Sequence, residues 1–320
     1  MARHAVTGAR WTPRAGRARR GWSRRSTPTL YLFLGPWLLG FVGLTVIPLV
    51  YALLVSFTNF DGISLRWHWI GLGNYTELIG DPDVWYSMGR TLLFMVITVP
   101  LGIVGGLALA LLLNRRVRGV GVFRTLFYVP SVVPIVATAL LFKIVFDRDA
   151  GIVNAAIEWT GGAPATWLID PTVFTVMIVM VLWGLGGGMV IFLAGLQGVP
   201  SELREAAAID GANAAQAFRT VTLPLLTPVV LFVLVTGVIG SLQTLIQPVL
   251  LSAGNSGALV PRGNFLYMVN VYQQVFQNQR LSYGAAMLWV LFIVVLLITL
   301  LILRSGALWV YYEVDQDKGG

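Results

Sequence analysis

The chain of 320 residues has no cysteine, and its only histidines are His4 and His68. Thiol nucleophiles, zinc clusters and haem ligation all require residues of these two types. We therefore expect no metal site and no thiol chemistry. The chain is expected to have no catalytic activity of its own.

Lysine is almost as scarce as histidine, with Lys143 and Lys318 its only examples. A phosphate-binding loop needs a Gly-Lys pair followed by Ser or Thr, and neither lysine has that context. The sequence therefore predicts that this chain binds no ATP and no other cofactor itself.

Charged residues make up only 11% of the chain, whereas 57% of its residues are hydrophobic. Six apolar segments have about 20 residues or more, the length that crosses a hydrocarbon core of about 30 Å. None of them alternates apolar and polar residues as a strand of a membrane barrel does. The backbone N–H and C=O groups must therefore form their hydrogen bonds within helices. The fold class is an all-α membrane protein with six transmembrane helices, at 31–57, 91–113, 125–146, 173–196, 223–251 and 281–303.

The middle parts of these spans contain no Asp, Glu, Lys or Arg; Lys143, Asp147 and Arg148 fall at one end of the third span. Secondary transporters usually keep ionisable groups within the membrane as ion relays. Ion-coupled transport is therefore disfavoured, and the energy for any transport must come from elsewhere.

Basic residues are distributed unevenly between the two sides of the membrane. If the N-terminus is inside, sixteen of the 22 Lys and Arg residues lie on the inner side, eight of them in the N-terminal tail. The positive-inside rule then places both termini in the cytoplasm. The net charge of +8 is explained by anionic lipid rather than nucleic acid. We divide the chain into a disordered basic tail (1–29), a transmembrane domain (30–304) and a cytoplasmic C-terminal tail (305–320).

Several glycines in the predicted spans have positions that affect helix packing. Gly102 with Gly106, and Gly184 with Gly188, have the four-residue spacing that lets helices approach closely. Gly186 and Gly187 favour a pliable fourth span.

Each proline in or beside a span frees a backbone carbonyl from its hydrogen bond and favours a kink in the helix. These prolines are Pro36, Pro48, Pro100, Pro130 and Pro134.

A polar segment, 198–224, separates the fourth and fifth spans. Ser201 suits an N-cap with Glu202 in the first turn, and Gly211 suits the left-handed residue that ends a helix. A second helix is expected from Asn213 until Pro224 stops it. The sequence therefore predicts a helix, a glycine turn and a second helix; the alternative is an amphipathic loop lying on the inner leaflet.

This segment resembles a known signature. Glu205-Ala206-Ala207, three residues, Gly211, nine residues, Val221, one residue and Leu223-Pro224 are similar to the EAA motif of permease subunits of ATP-binding-cassette (ABC) importers, with Val221 in place of the usual Ile. Other segments, from about residue 29 to 303, resemble the first of two paired permeases in the maltose-type and glycerol-3-phosphate-type group; they are 124–130, 149–154, 192–197 and 209–212.

The resemblance implies partners and a mechanism. A second permease would pair with this chain in the cytoplasmic membrane of a prokaryote, and two cytosolic ATPase subunits would bind ATP and Mg. An extracytoplasmic solute-binding protein would deliver the solute to the outer segments 61–83, 147–170 and 253–280, the second of which is long enough for a short helix at Ile152–Trp159. The residues expected to couple the permease to an ATPase are Arg204, Glu205, Ala206, Ala207, Asp210 and Gly211.

The candidate solute path starts from Gln243 and Gln247, expected on one face of the fifth helix, where their amides suit sugar hydroxyls. Trp183 offers an apolar platform, and Tyr267, Asn270 and Gln273 are further candidates. Buried amides also join neighbouring helices, and Trp often lies at lipid interfaces, so a structural role remains the alternative.

Taken together, these features favour a sugar importer permease. The scarcity of cations in the spans favours a neutral sugar over an anionic cargo. Within the transport class the alternative cargo is glycerol-3-phosphate, followed by an amino acid or a peptide. A membrane scaffold that binds a cytosolic partner and moves no solute is the alternative from another class.

Overall fold

A computed structural model describes residues 26–64, 66–115, 118–252 and 260–311, with side chains from Tyr31 onward. The predictions for residues 1–25, 253–259 and 312–320 lie outside the described residues. The chain divides into two compact units, Met1–Ala52 and Leu53–Gly320. The described part is helical apart from its connecting segments and one isolated bridge between Thr58 and Trp69.

Five helices, or six when one bent pair is counted as a span, are long and apolar enough to cross a membrane. The fold class predicted from the sequence is confirmed. The α-helices are α1 Ser26–Phe41, α2 Ile47–Val55, α3 Gly73–Gly80, α4 Pro82–Leu113, α5 Val120–Val132, α6 Ile135–Val145, α7 Ile152–Trp159, α8 Val173–Trp183, α9 Gly186–Gln197, α10 Ser201–Ile209, α11 Ala214–Ala217, α12 Leu223–Leu242, α13 Ile246–Ser252, α14 Tyr267–Tyr272 and α15 Leu281–Trp309.

The first unit is a helix that begins at Ser26, before the predicted start of its span, and passes through a π-helical turn at Val42–Val46. Pro48 follows this turn at the second position of α2. A proline ring collides with the carbonyl four residues earlier in a regular helix. The π-turn widens the backbone just before the proline, so the helix continues instead of breaking.

In the second unit, α4 packs against α9 and α12. A methyl group on Gly106 would lie 3.4 Å from the backbone of Gly188 and Met189. Helix association in lipid depends on such close packing because apolar contact with a neighbouring helix is little better than contact with acyl chains. The predicted close approach is therefore seen at one member of each glycine pair, Gly106 and Gly188, whereas a methyl group on Gly102 would meet nothing within 4 Å.

The third span is not the single helix predicted at 125–146. It consists of α5 and α6, which meet at an angle of 98°. Val133 has extended backbone angles, φ −64° and ψ 130°, and Pro134 precedes the first residue of α6. Since a residue before proline is disfavoured in the helical region, the Val133-Pro134 pair accounts for the break.

The fourth span is also interrupted, between Trp183 and Gly186, where the sequence predicts a pliable segment. At Gly186, α9 meets α5 so closely that a methyl group would overlap the carbonyl of Phe127. Glycine at this position is therefore required by packing against the backbone of the broken third span.

The segment between α6 and α8 contains α7, at the predicted position of a short helix. The Asn154 side chain is buried within it. Its amide donates to the carbonyls of Arg148 and Ala165, both at 2.8 Å, and its oxygen accepts from Trp167 Nε1 at 2.8 Å. Asp147 accepts hydrogen bonds from the backbone N–H groups of Ala150 and Asp149, which lower the pKa of its carboxyl group.

Candidate functional site

The polar segment forms a helix, a turn and a second helix, as predicted. Its first helix, α10, follows Pro200, whose φ of −56° and ψ of 133° are those of an N-cap. The predicted capping by Ser201 is wrong, because Ser201 is already the first helical residue and no side chain caps this end. The extended backbone angles of Pro200 set the start of the helix instead.

Gly211 ends α10 with a φ of +84°. The N–H of Ala212 donates to Ala207 O at 2.9 Å, and the N–H of Gly211 donates to Ala208 O at 3.1 Å. These two bonds form a Schellman motif, which requires the left-handed conformation that glycine adopts without steric cost. The predicted turn at Gly211 is confirmed.

Asn213 caps the second helix. Its side chain accepts from the N–H of Gln216 at 3.0 Å, and the Gln216 side chain accepts from the N–H of Asn213 at 2.8 Å. The predicted stop at Pro224 is wrong, because the helix runs on from Ala214 to Leu242. A π-turn at Phe218–Thr222 precedes Pro224, as another precedes Pro48, and accommodates the proline ring.

The residues predicted to couple this segment to an ATPase lie on its surface. Arg204, Glu205, Ala206, Asp210 and Gly211 are exposed, and Ala207 is half-buried. The structure adds Ile209, whose side chain is 87% exposed. A large aliphatic residue at the end of a largely polar and alanine-rich helix was the signal that the sequence offered for it.

These two helices, residues 201–217, lie at one end of the protein together with an arginine-rich turn. Leu113, at the end of α4, belongs to the same buried cluster as Leu196 and Leu226, which flank the helices. The guanidinium of Arg124 donates to Leu113 O at 2.8 and 3.2 Å. A cation here complements the negative end of α4, and the exposed Arg115 and Arg118 lie in the adjoining turn.

At the other end of α12, three cavities meet at Gln247. The first has a volume of about 370 Å³ and is bounded by α4, α8, α9 and α12; the second has about 580 Å³ and the third about 200 Å³. Gln247 lines all three. Among the predicted path residues, Gln247 lines the most of these cavities, whereas Gln243 and Trp183 each line one.

The expectation that Gln243 and Gln247 share one helical face is wrong, because α12 ends at Leu242 and α13 begins at Ile246. In an unbroken helix the ring of Pro248 would collide with the carbonyl of Thr244; here Pro248 falls in the first turn of α13. Both glutamines nevertheless line the second cavity. Thr244, which the sequence reasoning missed, lines the first and second cavities.

Trp183 lines the third cavity with Gln247, and its ring meets that of Phe142 edge-on at 5.9 Å. Tyr267 and Asn270 do not line these cavities. Tyr267 is fully buried and donates to Met287 O at 2.9 Å, and Asn270 lies 3.3 Å from Ser87 Oγ, so both join α14 to its neighbours. Gln273 is half-buried in a π-turn after α14.

Among the described residues, those that line the three cavities are uncharged. Their polar groups are hydroxyls and amides, including Ser241, Thr244 and Gln247. Such groups form hydrogen bonds with a neutral polar molecule and provide no countercharge for an anion.

The segments predicted to lie on the outer side are joined by a contact at Gly263. Its N–H donates to Asp170 Oδ1 at 2.6 Å, and its carbonyl accepts from Arg90 at 2.6 and 3.1 Å. Beside it, Arg262 pairs with Asp83 at 2.7 Å. The start of α4, the residues before α8 and the described residues before α14 are thereby held together.

Residues 82–308 match the family described as "Binding-protein-dependent transport system inner membrane component". The chain belongs to this family. It is a permease subunit of an ABC importer, a transport component and not an enzyme.

Three known proteins illustrate the similarity. The chain is 37% identical to "Probable ABC transporter permease protein YesP" of Bacillus subtilis (strain 168), covering 90% of this chain and 93% of the relative. It is 32% identical to "Lactose transport system permease protein LacF" of Rhizobium radiobacter, covering 85% and 91%. In fold it is similar to a bacterial ABC transporter that imports the acidic polysaccharide alginate, with a TM-score of 0.77, 21% identity and coverage of 89% and 96%.

Proposed function

We propose that this chain carries a sugar or related polyol across the cytoplasmic membrane of a prokaryote, driven by ATP hydrolysis in separate subunits that dock on α10 and α11. The observation that carries this proposal is the unbroken helix from Ala214 to Leu242. It begins in the exposed helix pair and, through Gly237, Gly240 and Ser241, lines the first cavity. A displacement at the exposed end would therefore reach the cavity through one rigid element.

The exposed surface of α10 supports docking of another protein. Ala206 and Ala207 leave room for close approach of a partner's groove, and Glu205 supplies a charge beside them. Ile209 offers an apolar side chain that is exposed in this chain alone. Two cytosolic ATPase subunits, which bind ATP and Mg, are the proposed partners, one for this chain and one for a paired permease.

A neutral cargo fits the cavities better than an anionic one, because the described lining residues include no cation. Gln243 and Gln247 would bond to hydroxyl groups, and the Trp183 ring would pack against an apolar face of the sugar. The names of relatives such as LacF and "Arabinooligosaccharides transport system permease protein AraP" point to the same class of solute. Glycerol-3-phosphate is the weaker candidate on these grounds.

A second permease would complete the path. Gln243 is exposed, and an amide facing hydrocarbon without a partner is costly. We propose that both termini and the helix pair lie in the cytoplasm; the arginines beside the helix pair support this through the positive-inside rule. An extracytoplasmic binding protein would deliver the solute to the segments held together at Gly263.

The test is purification of the assembled complex, followed by ATP-dependent uptake of labelled sugars into vesicles. Glu205→Lys should reduce recovery of the ATPase and abolish uptake. Glu158→Lys makes the same change of charge at an exposed site in α7 and should leave recovery of the ATPase unchanged. Recovery of the chain without an ATPase or a second permease would instead favour the scaffold function, and normal uptake by Glu205→Lys would refute the coupling role.

A further inference from the structure

The outward face of α7 is apolar, although this helix lies in a loop between two spans. Ile152 is 68% exposed and Trp159 is 89% exposed, and Ala155 and Ala156 between them are exposed as well. Spacings of three, four and seven residues place these four side chains in one stripe along a helix.

The opposite face of α7 is already fixed to the rest of the loop. Val153 and Ile157 are half-buried there, and Asn154 is held by its hydrogen bonds to Ala165 and Trp167. The helix cannot roll to bury Ile152 and Trp159 without breaking these bonds. A helix that is apolar on both faces needs a partner on each, and the described residues provide none for the outward stripe.

The neighbouring span indicates what that cover is. Helix α6, which contacts α7, exposes Leu140, Leu141 and Ile144 to 52%, 44% and 65%. Residues 146–151 alone separate the end of α6 from α7. The exposed apolar surface of α6, which belongs to a membrane span, is therefore adjacent to the apolar stripe of α7. Tryptophan is enriched at the level of lipid headgroups, where its ring contacts acyl chains and its N–H contacts water.

We propose that α7 is an interfacial helix that inserts Ile152 and Trp159 into the leaflet opposite α10 and α11. The stripe carries no charged residue, and Glu158 lies on its flank, where it would face water. Insertion would fix the position, relative to the membrane surface, of the loop that contains Asp170. Because Asp170 accepts a hydrogen bond from Gly263, it would fix the position of Gly263 as well. Unlike the coupling proposal, this proposal does not depend on the cargo or on the ATPase.

Site-directed spin labelling tests it directly, because the chain has no cysteine of its own. Ala155→Cys places a nitroxide in the stripe while retaining Ile152 and Trp159. The labelled chain is assembled in phospholipid vesicles with its partner subunits, whose own cysteines have been replaced. Collisions of the label with oxygen, which partitions into lipid, are compared with collisions with a water-soluble nickel chelate.

Glu158→Cys, labelled in the same helix, is the matched control. The ratio of oxygen to nickel accessibility should be several-fold higher at residue 155 than at 158, and adding the binding protein should not change it. A second substitution, Trp159→Asp, should lower the ratio at residue 155. Equal ratios at both sites would overturn the proposal, as would shielding of residue 155 only when the binding protein is present, because the cover would then be a protein.

Discussion

Replacing Gly186 by alanine tests the contact between α5 and α9, on which the geometry of the broken third span depends. The added methyl group would overlap the Phe127 carbonyl oxygen and lie 2.9 Å from the Cα of Tyr128. Both are backbone atoms, so neither can move aside by changing rotamer. Overpacking of this kind costs about 1–3 kcal/mol, and we expect the free energy of unfolding to fall by about that amount.

Gly187→Ala is the matched control, one residue further along the same helix. Its methyl group would lie 3.6 Å from Ser131 Cβ, an ordinary van der Waals contact. Alanine in a helix is favoured over glycine by about 0.5–1 kcal/mol, so this variant should be neutral or slightly more stable. Unfolding in mixed detergent micelles, followed by circular dichroism, measures both variants. Equal stability of the two would refute the packing described for α5 and α9.

Two further substitutions address the outer loop and the cavities. Asn154→Ala should remove the hydrogen bonds to the carbonyl groups of Arg148 and Ala165, at about 0.5–1.5 kcal/mol for each bond. Limited proteolysis should then cut the α7 segment faster than in the parent protein, whereas unchanged cleavage would show that the loop does not depend on Asn154. Gln247→Leu should raise the KM for sugar uptake about three- to tenfold, the effect of losing one neutral hydrogen bond, while the ATPase still copurifies; unchanged uptake kinetics would remove Gln247 from the solute path.

The sequence predicts the spans well because lipid imposes a simple rule on them. Apolar length and the absence of charge located five spans and the bent pair of α5 and α6. The glycine pairs Gly102 with Gly106 and Gly184 with Gly188 indicated close helix packing, which the structure has at Gly106 and Gly188. Local chemistry was also sufficient at Gly211, where the left-handed conformation follows from the residue type and its place after a short helix.

The effects of proline were harder to predict. Pro134 breaks its span, with a bend of 98°, whereas Pro48 and Pro224 lie within continuous helices. A π-turn precedes Pro48 and Pro224, whereas Pro100 lies inside α4 without one. Composition does not reveal which of these outcomes a proline has. At Pro248 the break separates Gln243 from the helix of Gln247, so the argument from helical spacing fails although both glutamines line one cavity.

The candidate site was only partly accessible from the sequence. The amides were recognisable because polar residues are rare in the spans. The sequence did not reveal that Thr244 lines the cavities or that three cavities meet at Gln247. Both features depend on how α4, α8 and α12 pack around the break between α12 and α13. Tyr267 and Asn270 have the chemistry of a sugar site, yet their side chains take part in helix packing.

Uptake by the reconstituted complex tests the central claim most directly. Vesicles that contain both permeases and the ATPase, with ATP inside and the binding protein outside, should accumulate a labelled neutral sugar. Glu205→Lys should stop that accumulation although the protein is still inserted in the membrane. Uptake that persists in this variant, or that proceeds without ATP, would contradict a mechanism in which α10 and α11 transmit ATP hydrolysis to the cavities at Gln247.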